Sequence, residues 1–185
     1  PDPGGRLAPA IWAAGDCCEV VHRMTGEHTF LPLGTHANKL GRIVGDNLLG
    51  ATGEFGGALG TAITRFVSAD VHLEIATTGL SVRDAERHGH DVVSLLTEST
   101  TASGYMPEAE PMATLVIADR TTRALLGVQI VGGPGSGKRI DAAAAALWGA
   151  MTVDDLAGMD LAYAPPFATV WDALQIAARR LAERI

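Results

Sequence analysis

Five glycines, Gly50, Gly53, Gly56, Gly57 and Gly60, fall within eleven residues of this chain. A glycine inside a helix or strand costs roughly 0.5–1 kcal/mol relative to alanine, so no regular element tolerates that density. The stretch reads as a domain boundary or hinge, and the patterns on its two sides differ. Before it, Ala10–Ala14 is a short apolar run ending at Gly15-Asp16, which predicts a buried strand that stops at a turn or a ligand. Residues 27–33 read as extended chain or loop. From Thr35 to Leu49, Ala37, Leu40, Ile43, Val44 and Leu48 recur at helical spacing, with Gly34 or Thr35 as the cap and Gly50 as the stop. After it, strands are expected at 61–67, 70–76, 92–96, 112–118 and 125–131. Helices are expected at 81–88, opened by the Ser81/Asp84 pair, at 140–150 and at 170–185. In the last of these, Leu174, Ala177, Ala178 and Leu181 share one face. The fold class is therefore α+β, divided into residues 1–56 and 57–185.

Charge and composition narrow the function. The formal net charge of −7 argues against a nucleic-acid partner, because phosphates demand a basic face. The longest apolar run, Ala142–Trp148, is far short of the roughly 20 residues that span a bilayer. No charged-then-apolar leader opens the chain, which does not start with Met; a piece of a longer cytoplasmic polypeptide is expected. Cys17 and Cys18 are adjacent, which suits a reducing compartment and packing beside a turn rather than a disulfide framework. The six histidines, among them His22, His28, His36, His88 and His90, show no repeated ligand spacing, so no metal site is expected and surface positions are assigned to them. Gly132–Lys138 reproduces the G-x-x-x-x-G-K phosphate loop between a strand and a helix. Arg139, however, stands where a hydroxyl must hold magnesium, and no acidic strand follows. The plain alternative is a glycine turn with Lys138 and Arg139 on the surface.

Gly15-Asp16 and the helix from Gly34 form a second constellation. Glycine lets backbone approach a ligand, a strand-end aspartate accepts hydrogen bonds from hydroxyls, and a helix N-terminus offers partial positive charge. The segments Trp12-Ala13-Ala14-Gly15-Asp16-Cys17, Pro32-Leu33-Gly34-Thr35, Ala37-Asn38-Lys39 and Gly41-Arg42 resemble the last FAD-binding segment of the pyridine nucleotide–disulfide oxidoreductases. The resemblance is strongest to the single-cysteine branch, which holds coenzyme A-disulfide reductases, NADH oxidases and persulfide or polysulfide reductases. Tyr105-Met106-Pro107, Glu110-Pro111-Met112, Gly127–Gly132, Lys138-Arg139-Ile140-Asp141, Leu161–Phe167 and Val170-Trp171-Asp172 resemble that branch's dimerisation domain. The likeness runs from about residue 10 to the end. It makes the Lys138 loop the opening of a helix rather than a nucleotide site.

The resemblance implies a reductase-type dimerisation domain, an antiparallel sheet with helices, preceded by a fragment of a FAD-binding α/β domain. It implies FAD and NAD(P)H as cofactors, a homodimer, and a small thiol, disulfide or dioxygen substrate. Gly15, Asp16, Leu33, Gly34, Thr35 and Phe167 are then the flavin-binding positions. Asp16 accepts from the ribitol hydroxyls, and the helix at Gly34-Thr35 faces the pyrimidine ring. Asn38 and Trp171 flank the substrate. Tyr105 and Tyr163 reach across the dimer toward the partner's reactive cysteine, where a phenol donates to a thiolate. No G-x-G-x-x-G occurs, so the FAD pyrophosphate loop and the NAD(P)H loop are expected outside this chain. Thr169 and Ala173 replace the prolines usual around Val170-Trp171-Asp172. The competing expectation is a non-catalytic dimerisation or interaction module, in which both tyrosines only pack.

Overall fold

The structure, a computed structural model, describes residues Pro1 to Ile185. It divides into two compact units, Pro1–Gly60 and Thr61–Ile185.

The first unit holds two antiparallel ribbons and one helix. β1 (Arg6–Ala8) pairs with β2 (Ile11–Trp12), β3 (Val20–Val21) pairs with β4 (His28–Thr29), and α1 spans Gly34–Leu48. The buried strand expected at 10–14 is corrected here. Only Ile11 and Trp12 are extended, and Ile11 is 56% exposed, because the sole partner of β2 is the bulged three-residue β1. Trp12 is sheltered instead by the Arg6 guanidinium, 5.7 Å from its ring centroid. The core is Val20, Leu40 and Ala58, with Ala14, Leu31, Val44 and Phe55 packed around it. The glycine-rich stretch forms no regular element, as its composition requires. It is held by borrowed partners: the Asn47 carboxamide donates to the Gly4 and Gly53 carbonyls at 3.1 and 2.9 Å, and Ala58 exchanges bonds with Val21 and Arg23.

The second unit is a five-stranded antiparallel sheet backed by helices. Its strands are β5 (Ala62–Val67), β6 (His72–Gly79), β7 (Val92–Thr100), β8 (Pro111–Asp119) and β9 (Leu125–Gly132), in the order β5-β6-β9-β8-β7. The helices are α2 (Val82–Arg87), α3 (Ile140–Trp148), α4 (Val153–Gly158) and α5 (Ala173–Ala182). α3 packs on β6 and β9 while α5 packs on β7 and β8. Val116, Val128, Ile130, Ala143, Leu174, Ala177 and Leu181 are all buried between these layers. The small alanines of α3 and α5 let the helices sit close to the sheet, where dispersion contacts are densest. The opposite face stays open, with Phe66, Leu73, Ile75, Leu96 and Val131 from 37% to 60% exposed. A groove of about 400 Å³ on that side is lined by Leu73, Glu98, Pro111, Met112 and Val131.

Several elements differ from the sequence reading, among them β6, expected at 70–76 and found at His72–Gly79. α5 starts at Ala173 rather than Val170, because Asp172 accepts from the Leu174 amide at 2.9 Å and Gln175 reaches back to the Asp172 amide, closing a capping box. α4 was not expected, although Thr152 and Asp155 form a second capping box ahead of it. β7 runs on to Thr100, past Leu96, its last apolar residue. The hairpin turn between β8 and β9 is organised by Asp119, whose Oδ1 accepts from the Thr122 and Thr121 amides at 2.8 and 3.0 Å. Those bonds, the first above all, and a third contact from His90 hold its carboxyl down at about 2.

Gly79 ends β6 with a φ of +75°, and a Cβ there would stand 2.4 Å from the Leu126 carbonyl oxygen and 3.0 Å from the Gly127 Cα. Both neighbours are backbone and cannot rotate aside. Gly79→Ala is expected to cost about 3 kcal/mol or more, combining left-handed strain with overpacking. Chemical denaturation of the variant is the check.

Candidate functional site

The positions singled out from the sequence fall into two groups, one in each unit. In the first, Gly15 adopts φ +86°, a conformation that only glycine takes freely, and turns the chain so that the Cys18 amide donates to the Gly15 carbonyl at 3.2 Å. A Cβ on Gly15 would lie 3.5 Å from the Ala37 Cβ, so this turn rests directly on the first turns of α1. Asp16, next along, is exposed. The expected cap is corrected: Leu33, not Gly34 or Thr35, is the N-cap residue, and it makes no side-chain cap bond. A leucine has no oxygen with which to accept. The amides of His36 and Ala37 fold back onto the Leu33 carbonyl, while those of Gly34 and Thr35 meet no acceptor within the chain. No acidic residue stands in this first turn. The N-terminus of a 15-residue helix therefore presents bare donors and partial positive charge beside Gly15 and Asp16. Asn38 is exposed on the same helix. The donor set suits a ligand rich in carbonyl oxygens and hydroxyls.

The histidines are not all on the surface. His22 and His36 are buried at 9% and 8% exposure, because this small unit recruits them into its core. The His36 ring lies against Phe55 with centroids 6.1 Å apart, and its Nδ1 is 3.5 Å from the Leu31 carbonyl. Burial pushes its pKa below the usual 6.5, a shift opposed by the Leu31 contact. Cys17 and Cys18 are free thiols whose sulfurs donate to the Ala14 and Gly15 carbonyls. Burial and the neighbouring Cys17 push the Cys18 thiol up, which keeps it protonated and unreactive.

In the second unit, the loop between β7 and β8 carries Tyr105, and the loop between α4 and α5 carries Tyr163, Phe167 and Trp171. The structure joins these loops. The Ser103 amide donates to the Pro165 carbonyl at 2.9 Å, and the Ser103 hydroxyl donates to the Ala168 carbonyl at 3.2 Å. The Tyr105 loop is closed by a reciprocal pair between Thr101 and Glu110, at 2.9 and 3.0 Å. Tyr105 is 74% exposed, Tyr163 45% and Phe167 75%. Neither phenol is hydrogen-bonded within the chain. Trp171 is less free, since the Arg179 guanidinium lies 4.9 Å from its ring centroid and covers one face.

Arg139 does not lie on the surface, where the glycine-turn expectation put it. Lys138 is exposed and pairs with Asp141, but the Arg139 side chain is only 12% exposed. Its Nε donates to Asp172 at 3.0 Å, Nη2 donates to the Thr101 and Phe167 carbonyls at 2.6 Å each, and Nη1 donates to the Gly135 carbonyl. The glycine loop before it has its own anion: the Gly135 and Gly137 amides donate to Glu74 Oε2 at 3.1 and 2.8 Å. A carboxylate of the chain thus fills the cradle that a phosphate would need. The G-K spacing could reveal the turn, but nothing in the local sequence points to Glu74 as its occupant.

Residues 67–174 match the dimerisation domain of the pyridine nucleotide-disulphide oxidoreductases, and the chain belongs to that family. It is 42% identical over 171 residues to an NAD(P)H sulfur oxidoreductase (CoA-dependent) of Pyrococcus furiosus, an alignment covering 92% of this chain and 38% of that protein. Among solved structures, an NAD-dependent persulfide reductase from A. fulgidus superposes with a TM-score of 0.90 at 33% identity, over 99% of this chain and 33% of the other. A FAD-dependent pyridine nucleotide-disulphide oxidoreductase from Desulfovibrio vulgaris superposes with a TM-score of 0.75 at 28% identity, over 99% of this chain and 41% of the other. The chain therefore spans well under half the length of these relatives. No helix is long and apolar enough to cross a membrane.

The His36 environment makes a signed prediction. Its pKa in the folded state lies below the unfolded value near 6.5, so the neutral ring stabilises the fold above that pH. That contribution is expected to be lost as pH falls from about 6.5 through the lowered pKa, and His36→Phe should flatten this part of the curve. Denaturation of the chain at stepped pH, with the His36 ring followed by NMR, checks both.

Proposed function

We propose that this chain is the C-terminal portion of a flavin-dependent NAD(P)H oxidoreductase that reduces disulfide or persulfide sulfur and works as a cytoplasmic homodimer. The observation that carries the reading is the pair of joined loops holding two phenols in the open, neither engaged by its own chain. A tyrosine serving only to pack would bury its ring and satisfy its hydroxyl. A phenol left as a free donor can instead stabilise a thiolate, the charged form through which sulfur reacts. Disulfide or persulfide sulfur is favoured over dioxygen as the acceptor because cleaving its S–S bond releases a thiolate that such donors stabilise, and because the relatives in Pyrococcus furiosus and A. fulgidus are named for sulfur and persulfide.

FAD, when bound, supplies two-electron transfer between NAD(P)H and the sulfur acceptor. Asp16 would accept from ribitol hydroxyls, and Gly15 leaves room for them. Gly34 and Thr35 would present the bare amides of α1 to the flavin's carbonyl edge, stabilising negative charge there, with Leu33 beside them at the helix entry. Asn38 would donate to the substrate or its carrier, and the uncovered face of Trp171 would wall it. Tyr105, Tyr163 and Phe167 would face the site of the partner subunit, which makes the dimer the working unit. The open sheet face with Phe66, Leu73, Ile75 and Val131 supports pairing, since an apolar surface of this kind favours burial. The free thiols Cys17 and Cys18 support a reducing compartment.

Residues 1–185 alone lack a pyrophosphate loop and are expected to bind FAD poorly; flavin absorbance co-purifying at full stoichiometry would contradict this. In the full-length enzyme, Tyr163→Phe is expected to slow disulfide or polysulfide turnover about tenfold, the worth of one hydrogen bond to a charged group. Reduction of the flavin by NAD(P)H should be unchanged. Full turnover by the variant would favour a dimerisation module with no catalytic part.

A further inference from the structure

We propose that Arg139 is a positioning residue, one guanidinium that sets the main chains of both tyrosine loops relative to each other for turnover; this rests on the reading of Tyr105 and Tyr163 above. Thr101 opens the loop that carries Tyr105, and Phe167 closes the turn that follows Tyr163, with its amide on the Ala164 carbonyl at 2.8 Å. Both carbonyls accept from the same nitrogen of Arg139, at 2.6 Å each. A shift of either loop breaks a bond to a group that the other loop also uses, so the two cannot drift separately. The guanidinium is itself fixed. Asp172 holds its Nε, the Gly135 carbonyl holds Nη1, and both side chains of the ion pair are 12% exposed.

The arrangement is specific to arginine. Its planar fork addresses several acceptors in fixed directions, whereas a lysine ammonium is one compact point on a flexible stem. Lysine could keep the charge beside Asp172 but not reach both carbonyls. Removing the fork also spares the rest of the unit. Asp172 caps α5 through its other oxygen, at 2.9 Å from the Leu174 amide, and the ladders of β8 and β9 make no use of Arg139. The position that disqualifies the glycine loop as a nucleotide site is thus the one that ties the loop to both tyrosine segments.

The test uses the full-length enzyme as wild type, Arg139→Lys, Tyr163→Phe and the double variant, with coenzyme A disulfide and inorganic polysulfide as acceptors. Hydrogen exchange at the Ser103 and Phe167 amides is expected to quicken about tenfold in Arg139→Lys, with β8 and β9 amides unmoved, as local opening predicts. The kcat should fall about tenfold with the KM for NAD(P)H unchanged, and the double variant should lose clearly less than the product of the two single losses, because Arg139 acts in part through Tyr163 and coupled residues are not additive. An equal fold-loss from Arg139→Lys in both backgrounds, or unchanged exchange, overturns the positioning role. Full turnover by Tyr163→Phe overturns the underlying tyrosine reading instead, and is seen without any Arg139 variant. If Arg139→Lys does not fold, Asp172→Asn keeps the α5 cap while weakening the anchor of the guanidinium. It should loosen the same two segments, and their unchanged exchange would equally sink the proposal.

Discussion

The largely buried pair of Arg139 and Asp172 is the constraint on which the loop end of the larger unit depends. A charge taken out of water costs several kcal/mol unless its hydrogen bonds are replaced, and here the replacements come from the chain itself. Asp172 divides its oxygens between the first turn of α5 and Arg139, and Arg139 spends its remaining donors on carbonyls of Gly135, Thr101 and Phe167. One ion pair thereby joins a helix start, a glycine turn and two loops that have no regular structure of their own. Loops lacking a ladder or a helical repeat keep their shape only through such bonds.

The sheet beneath it shows how unequal faces divide labour. One face is closed by α3 and α5 with residues such as Val116, Val128 and Leu174 between the layers; the other leaves Ile75 and Val131 paired across strands yet open to solvent. The closed face makes the unit stable. An open apolar face is the kind of surface that association buries, and residues 67–174 match a dimerisation-domain family. The smaller unit works differently. Its short ribbons contribute little core, and it draws on His36, Phe55 and the Asn47 carboxamide to hold its turns.

Much of this was legible residue by residue. The periodic apolar run predicted α1, the apolar strand-length runs predicted β5, β6, β8 and β9, and the Ser81/Asp84 pair marked the start of α2, because each pattern reports a local preference that the tertiary structure did not oppose. Ala10–Ala14 misled because an apolar run carries no information about what will cover it. Thr35 misled because a good capping residue does not cap when the chain enters the helix one or two residues earlier, at Leu33. The segments that resemble the family pointed to Gly15, Asp16, Tyr105 and Tyr163, but not to the bonds that join the loops of the two tyrosines.

By itself, the sequence determined most of the longer elements, the α+β class and the family, since all of these rest on neighbours along the chain or on short motifs. Only the tertiary structure decided that Glu74 fills the glycine cradle, that Arg139 leaves the surface to hold Thr101, Phe167 and Asp172, and that the N-terminus of α1 stays without a side-chain cap. The reason is physical. Each of these depends on groups far apart in sequence meeting at hydrogen-bond distance, and such meetings are set by how strands and helices pack rather than by any residue's own preference.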